Sequence, residues 1–317
     1  MLRTIIARRA HELDALAPVW RGLEAGATMF QSFLWNRLAA QFFAGRESPC
    51  VVLAETTSGV ALIPAARHAF GLTLLGESLF DYRDLLCAGD SDALRQAWEA
   101  VAGLGGNLSF CGLRGDEIGH WPGADTSPFC AAPQVCRRDV DGDSFMAAHT
   151  RSGRLLRRLN RMGVEVRCHA GTSSGLVRWI YQRKAEQMAG AANNLFADPV
   201  RVDFMVEVCR QSGAACEIFT LDTPGTIVAA LLTFVDSRVR RFYTVYHDAA
   251  WAKHSPGVAL VFEATCRSLA AGLDCDYLTG EQPHKTRFAT SSVPLLRVSA
   301  SPARLSCAFE DTAPLAA

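Results

Sequence analysis

Two short segments in the second half of the chain carry the residue types that acid/base chemistry and phosphate binding require. In the first segment, Glu281, His284 and Lys285 place a carboxylate, an imidazole and an ammonium within one turn. The segment follows a predicted strand, and ligands of α/β sheets favour the carboxyl ends of strands. Three polar residues in one turn are also ordinary loop composition, so the pattern is typical of both a site and a solvated loop.

The second segment lies where another predicted strand ends, at residues 246–248, and a long predicted helix begins. Ser255 is a suitable N-cap, Pro256 fits the first helical turn, and Gly257 permits close approach of a ligand to the backbone. Free amides at a helix start, aided by the helix dipole, bind phosphate, although similar residues also begin helices that bind nothing. The predicted cradle consists of Ser255, Pro256, Gly257 and Val258.

A third group of candidates follows an apolar strand in the first half of the chain. Asp81, Tyr82 and Asp84 combine acidic and aromatic side chains, and we expect them to orient a substrate amine. The competing interpretation is structural, because a tyrosine often packs its ring between layers and leaves only its hydroxyl exposed.

A stripe of arginines marks one predicted helix of the second half. Arg151, Arg154, Arg158 and Arg161 share a face, and Leu155, Leu159 and Met162 are expected on the opposite face. Such a stripe is usually a solvated surface. With further arginines at positions 157 and 167, a phosphate-bearing ligand is the alternative.

Composition restricts the classes of protein to consider. The 317 residues are 49% apolar and 20% charged, which favours two folded domains of about 150 residues each. The 32 basic residues balance the 32 acidic ones, so no global field directs the chain to nucleic acid or to a membrane, and any anion site must be local. The longest apolar stretch, residues 226–235, is about half of the ~20 residues that a bilayer-spanning helix needs.

The cysteines indicate a reducing compartment. Eleven are scattered along the chain, and none forms the closely spaced pairs of a zinc site. With no secretion signal recognisable at the N-terminus, we expect a cytoplasmic protein without a bound metal.

The elements that position these candidates occur twice in the same order: strand, helices, antiparallel meander, helix, strand. This predicts a mixed α+β fold of two domains, at residues 1–140 and 141–317. Within it, residues 112–133 are expected to be an irregular connection, residues 144–162 one basic helix, and residues 274–279 a strand.

The sequence resembles the CelD-type acetyltransferase-like proteins, a branch of the GNAT superfamily related to the Fem peptidyltransferases. The similarity covers nearly the whole chain and depends on the order of many weak motifs. In the first half these are Trp20, Phe30-Gln31-Ser32, Trp35, Ala61-Leu62-Ile63-Pro64, Leu75-Gly76-Glu77 and Asp81-Tyr82-Arg83-Asp84. In the second half they are the basic helix, Trp179, Tyr246-His247-Asp248, Ser255-Pro256-Gly257, Gly272, Asp276, Gly280 and Lys285.

The resemblance implies tandem GNAT-like domains, with an acyl donor such as acetyl-CoA in the second domain and an amine acceptor between the two. A substrate amine would attack the acyl thioester directly, and amides of the strand ending at Tyr246 would stabilise the oxyanion. Asp248, Glu281 or His284 would accept the amine proton. Lys285 would contact the acceptor or the donor's phosphate. The sequence departs from the superfamily in its shortened pyrophosphate loop, and His284 and Phe288 stand where relatives have aromatic residues.

Two alternatives follow from the same resemblance. A Fem-like enzyme would use aminoacyl-tRNA, and salt-sensitive RNA binding would reveal it. A non-catalytic module of polysaccharide biosynthesis or export would bind no acyl donor.

Overall fold

The computed structural model describes residues 3–76, 79–121, 123–280 and 282–307. The chain forms two compact units, of which the first comprises Met1–Cys130 with Pro294–Ala317 and the second Ala131–Val293. These units differ from the predicted domains mainly in the C-terminal segment. That segment joins the first unit because strand Ser291–Ala300 pairs antiparallel with strand Leu108–Arg114.

The first unit is a mainly antiparallel sheet with helices. Its elements in chain order are β1 Arg3–Ala7, α1 Ala10–Leu13, α2 Ala17–Leu23, α3 Phe33–Phe42, β2 Ser48–Glu55, β3 Gly59–His68, β4 Gly71–Leu74, β5 Leu86–Gly89, α4 Ser91–Gly103, β6 Leu108–Arg114 and the start of β7 Asp125–Val135. The strand order is β1-β2-β3-β4-β6, followed by the last strand of the chain, and β5 pairs with β3.

The second unit repeats the arrangement on a larger scale. Its elements are α5 Gly142–Ala148, α6 Thr150–Arg161, β8 Glu165–Ala170, α7 Ser174–Gln187, α8 Pro199–Ser212, β9 Cys216–Thr223, β10 Thr226–Asp236, β11 Val239–His247, α9 Pro256–Ala270, β12 Asp274–Asp276 and α10 Pro283–Phe288. The chain then returns to the first unit through β13 Ser291–Ala300 and α11 Pro302–Cys307.

The sheet of the second unit has the order β12-β11-β10-β9-β8, with the end of β7 beside β12. Strands β9, β10 and β11 form the predicted antiparallel meander, and β11 and β12 are parallel. Helix α9 packs its apolar face, including Leu260 and Phe262, into the core against Phe242 and Tyr277. The crossover from β11 through α9 to β12 gives the sheet its one parallel pair among the described strands of this unit, and both units have the predicted mixed α+β fold.

Three predicted elements were wrong in their extent. Residues 112–133 are not irregular throughout, because β6 runs to Arg114 and β7 begins at Asp125. Pro128 and Pro133 hide β7 in the sequence, since proline breaks the usual strand pattern. The basic helix is interrupted at His149, whose φ of −114° and ψ of +37° separate α5 from α6. Strand β12 ends at Asp276 rather than at residue 279.

We expect Trp98→Ala to destabilise the protein by about 3–5 kcal/mol, because it removes a large side chain from a close-packed core. Trp98 is fully buried, its ring lies 4.7 Å from that of Trp121, and its Nε1–H donates to the His120 carbonyl at 3.0 Å. Denaturant unfolding would measure the change. The control Ile118→Ala, at a 44% exposed position, should change stability by about 0.5 kcal/mol or less.

Candidate functional site

Strands β11 and β12 part in the middle of β11, and this parting creates the site. Their last paired residues are Arg241 and Asp276. The Asp276 carboxylate accepts a hydrogen bond from Arg241 Nη1 at 2.6 Å and another from the Leu278 backbone N–H at 2.7 Å. Leu278 has a φ of +56°, an uncommon conformation for a leucine, and the chain turns away from β11 there. The second half of β11 therefore lacks β12 as a neighbour.

A β-bulge lies at the same level of β11. Leu232 of β10 pairs with Thr244 and Thr233 with Phe242, so Tyr243 is the additional residue. Bulges are frequent beside active sites, where they redirect a strand and its side chains. Here the bulge falls directly after the parting point of the two strands.

A cavity of about 490 Å³ fills the space between the parted strands. Phe242 to Val245 line it from β11, and Tyr277 and Thr279 line it from the segment that leaves β12. The other lining residues are Lys184, Gln187, Met188, Phe196, His247, Val261, Gln282, His284 and Lys285. The cavity thus combines apolar walls with a few basic groups, a composition typical of small-molecule sites.

Three basic groups of the cavity, His284, His247 and Lys184, are shifted towards their neutral forms. Burial, reinforced by Lys285 and other cations nearby, lowers the pKa of His284 to about 4. Burial and the Lys184 ammonium lower the pKa of His247, while Asp248 opposes this shift. Burial also lowers the pKa of Lys184. Two neutral imidazoles that can accept a proton therefore face the cavity at neutral pH.

Lys285 is half-buried at the cavity wall. Its Nζ donates to the Thr279 carbonyl oxygen at 2.6 Å, which ties the start of α10 to the segment after β12. His284 is the neighbouring residue on the same short helix. Lys285 therefore holds the segment that carries the imidazole.

The start of α9 differs from the prediction in one detail. Ser255 adopts a left-handed conformation, with φ of +49°, and its side chain forms no capping hydrogen bond. Its carbonyl accepts the Ala259 N–H instead. Pro256 occupies the first turn as predicted, so Gly257 and Val258 supply the early helical N–H groups that α-helices leave without an intrahelical partner.

His247 links the start of α9 to the cavity. A Cβ added to Gly257 would lie 3.5 Å from His247 Nδ1, so the two residues are in direct proximity. His247 also lines a second cavity, of about 610 Å³, between α7 and the ends of β10 and β11. Tyr246 lies at that second cavity with its ring 5.1 Å from Trp179.

Asp248 also borders the second cavity, and its carboxylate has a structural role. Its Oδ1 accepts the Ala250 N–H at 2.9 Å and so caps the 3₁₀ helix Ala249–His254. The remaining charged residues of this cavity are Arg183 and Glu186.

The predicted substrate residues of the first unit have mainly structural contacts. Asp84 is buried and forms a two-pronged ion pair with Arg114 at 2.9 and 2.7 Å. Tyr82 is buried, and the Arg114 guanidinium lies 5.7 Å from its ring centre. Asp81 is half-buried beside the backbone of Gly112.

The structure thus brings His284 and Lys285 to one cavity and Tyr246 and Asp248 to its neighbour. Glu281 lies outside the described residues. Sequence reasoning missed Lys184 and His247 as site residues. His247 stood within a recognised motif, whereas Lys184 is an ordinary lysine of a helix whose sequence carries no signal.

Three further findings concern the cysteines, metal-binding groups and membrane-spanning helices. Ten cysteines with described side chains are all free. Within residues 3–76, 79–121, 123–280 and 282–307, no group of three or more His, Cys, Asp or Glu side chains is arranged to hold a metal ion. No helix in the same ranges is long and apolar enough to cross a bilayer.

Comparison with known proteins assigns this geometry to a class. Residues 147–286 match the acetyltransferase (GNAT) domain family. No curated protein matches the chain. Among solved structures, the L-PGS structure from Bacillus licheniformis aligns with a TM-score of 0.60 at 10% identity, covering 91% of this chain and 90% of that one.

Two further structures have the same fold along nearly their whole length. FemX aligns with a TM-score of 0.56 at 8% identity and covers 93% of this chain and 96% of its own. A tandem GNAT protein from the clavulanic acid biosynthesis pathway aligns with a TM-score of 0.54 at 10% identity and covers 95% and 99%.

The domain match over residues 147–286 makes the chain an acyltransferase with a GNAT domain. More particularly, the chain has the fold of FemX and of the tandem GNAT protein, as the sequence resemblance implied.

We expect the stability of the protein to fall as the pH decreases from about 7 to about 4, partly because of His284. Its pKa is about 4 in the folded chain against an ordinary value of 6.5. Between these values the unfolded chain holds the proton and the folded chain does not, so lower pH favours unfolding. Other buried histidines act in the same direction, and His284→Gln should therefore reduce the slope without abolishing it.

Melting temperatures measured across this pH range would test the expectation. The control His11→Gln, at an exposed position of α1, should leave the slope unchanged. An identical slope in wild type and His284→Gln would show that His284 titrates as it does in the unfolded chain.

Proposed function

We propose that the protein is an N-acyltransferase that transfers an acyl group from acyl-CoA to the amine of a small-molecule or saccharide acceptor. The observation that carries this proposal is the parting of β11 and β12 around a cavity that presents neutral imidazoles. An acyl thioester can enter between the two parted strands because no hydrogen bonds between β11 and β12 have to break there.

The donor is proposed to lie along the unpaired edge of β11. Those backbone amides of residues 242–246 that point away from β10 would face the thioester carbonyl and stabilise the negative charge that develops on its oxygen. The phosphates of coenzyme A would lie at the start of α9, near Gly257 and Val258. Arg158 and Lys253 also lie near this helix start, since both contribute to the lowered pKa of His254, after the larger effect of burial.

The acceptor amine is proposed to attack the thioester carbonyl directly, with His284 as the general base. The new C–N bond forms as the carbonyl π electrons move to oxygen. His284 takes the amine proton, the C–S bond breaks as the carbonyl re-forms, and the proton passes to the departing thiolate. The His284 imidazole is neutral at pH 7 and so has a free lone pair for this proton, while its lowered pKa makes it a weaker base than an exposed histidine.

The geometry favours His284 over Asp248, because the Asp248 carboxylate is engaged in capping a helix. Glu281 stays the alternative base. Lys285 is proposed as a positioning residue, because its ammonium is bonded to the Thr279 carbonyl. Asp81, Tyr82 and Asp84 keep a proposed role in binding the acceptor, with Tyr82 and Asp84 supporting that surface from within.

Several finer assignments accompany this proposal. Membership of the CelD-type branch rests on the sequence motifs, and a cytoplasmic location is supported by the ten free cysteines. An aminoacyl-tRNA donor is the alternative to acyl-CoA, since the resemblance to the Fem peptidyltransferases implies it and FemX has the same fold. The melting experiment with coenzyme A described below, together with a test of salt-sensitive RNA binding, separates the two donors.

We expect saturating coenzyme A to raise the melting temperature, because a ligand that binds only the folded state stabilises it by about 2.7 kcal/mol at one hundred times its Kd. Gly257→Glu should abolish the shift, since it adds a negative charge at the phosphate position. Gly175→Glu is the matched control, a glycine at the same second position of α7 with nothing within 4 Å of an added Cβ. An unshifted wild type, or an equal shift in Gly257→Glu, would contradict this donor site.

We expect Lys285→Ala to lower turnover at least about tenfold, on the order of 1.4 kcal/mol of transition-state stabilisation, with the fold intact. Losing the bond to Thr279 frees the segment that carries His284. Lys285→Arg should rescue only in part, because a guanidinium fork does not reproduce a compact ammonium. Coenzyme A release from acyl-CoA with a mixture of primary amines measures turnover. Wild-type turnover in Lys285→Ala would show that this lysine does not position His284.

A further inference from the structure

Helix α6 presents an unusually basic face to solvent. Five of its twelve residues are arginines, and all five are exposed: Arg151, Arg154, Arg157, Arg158 and Arg161. At about 100° per residue they fall within an arc of about 120°, and they extend over about 15 Å of the helix axis. We call this surface the arginine face.

Among the described residues, no carboxylate pairs with the arginine face. None of its five guanidinium groups forms an ion pair within the part of the chain that the structure describes, and α6 contains no acidic residue. The nearest acidic residue after the helix, Glu165, pairs with Arg167 at 3.3 Å. This contrasts with α8, where Arg210 is paired with Glu207 at 2.6 Å. The arginine face is therefore a concentrated positive field on a chain whose net charge is zero.

The opposite side of α6 fixes the helix firmly to the second unit. Leu159 is fully buried in the core, and Leu155 and Leu156 pack against it. A Cβ added to Gly153 would lie 3.7 Å from the Phe262 ring of α9. Because its apolar side is already buried, α6 cannot roll into an apolar medium, and any partner meets the arginines as a rigid surface.

One exposed apolar side chain accompanies the arginines. Met162 is 44% exposed directly after α6. Continuing the helical spacing places it about 20° from Arg151, so it lies beside the arginines and the predicted position opposite them was wrong. A second methionine, Met146 on α5, is 45% exposed. Arginines with an exposed apolar side chain at their edge suit the boundary between lipid headgroups and acyl chains.

We infer that the arginine face of α6 docks on a membrane surface rich in anionic phospholipid. A flat bilayer contacts only this local face, so adsorption needs a few arginines and not a basic protein. An RNA would extend beyond a 15 Å surface onto the rest of a chain with a pI of about 7.1, whereas RNA-binding domains are usually basic throughout. The charge distribution therefore favours lipid over nucleic acid. This inference does not depend on the proposed donor or acceptor.

Vesicle co-sedimentation tests the inference with the whole protein. We expect binding to phosphatidylcholine vesicles that contain phosphatidylglycerol, little binding to phosphatidylcholine alone, and loss of binding at high salt because surface charges are screened. The triple variant Arg151→Glu/Arg154→Glu/Arg161→Glu should weaken vesicle binding at least about tenfold. Met162→Ser should weaken it less, since the attraction is mainly electrostatic.

The control variant Arg8→Glu/Arg9→Glu/Arg138→Glu makes the same change in net charge at exposed positions outside α6. It should bind vesicles within about twofold of wild type, because attraction decays within a Debye length of the surface. Melting temperatures of both variants verify folding. Equal binding of wild type to neutral and anionic vesicles, or equal loss in both triple variants, would overturn the inference. Binding of a duplex RNA without binding of anionic vesicles would overturn it in favour of nucleic acid.

Discussion

The buried contact between Arg241 and Asp276 is the interaction on which the site depends. Arg241 is 7% exposed and Asp276 fully buried, and Arg241 also binds both oxygens of Asp236. A buried carboxylate is tolerated only when it is paired and hydrogen-bonded. Asp276 satisfies this requirement through Arg241, Leu278 and Gln134 together. One side chain thereby both joins β12 to β11 and turns the following residues away from it.

The electrostatics of the cavity follow from the side chains that line the space between the parted strands. Lysine and histidine side chains face a space with apolar walls, and each cation makes protonation of its neighbours less favourable. His284 is the clearest case, because burial and the adjacent Lys285 act in the same direction on its pKa. Burial, and after it the neighbouring cations, thus keeps these imidazoles neutral.

The sequence predicts the parts of this structure that local patterns encode. The β9-β10-β11 meander follows from alternating apolar residues and two short turns, and Pro256 marks the start of α9. The site's geometry depends on pairings between distant residues. The bulge at Tyr243 and the short β12 arise from contacts with β10 and with Arg241, which no local spacing reveals. Similarly, the sequence predicts His247 only as a strand residue, because its proximity to Gly257 of α9 arises from the tertiary fold.

The return of the C-terminal strand has a consequence for synthesis of the protein. The second unit is an insertion between two pieces of the first, since β13 pairs with β6 of the first unit. During translation, all of the second unit is therefore synthesised before β13, the last strand in the sheet of the first unit. During that interval β6 has an unpaired edge, and unpaired edges recruit other strands. The order of translation thus leaves the first unit incomplete for longest, and makes it the part most dependent on rapid completion of the chain.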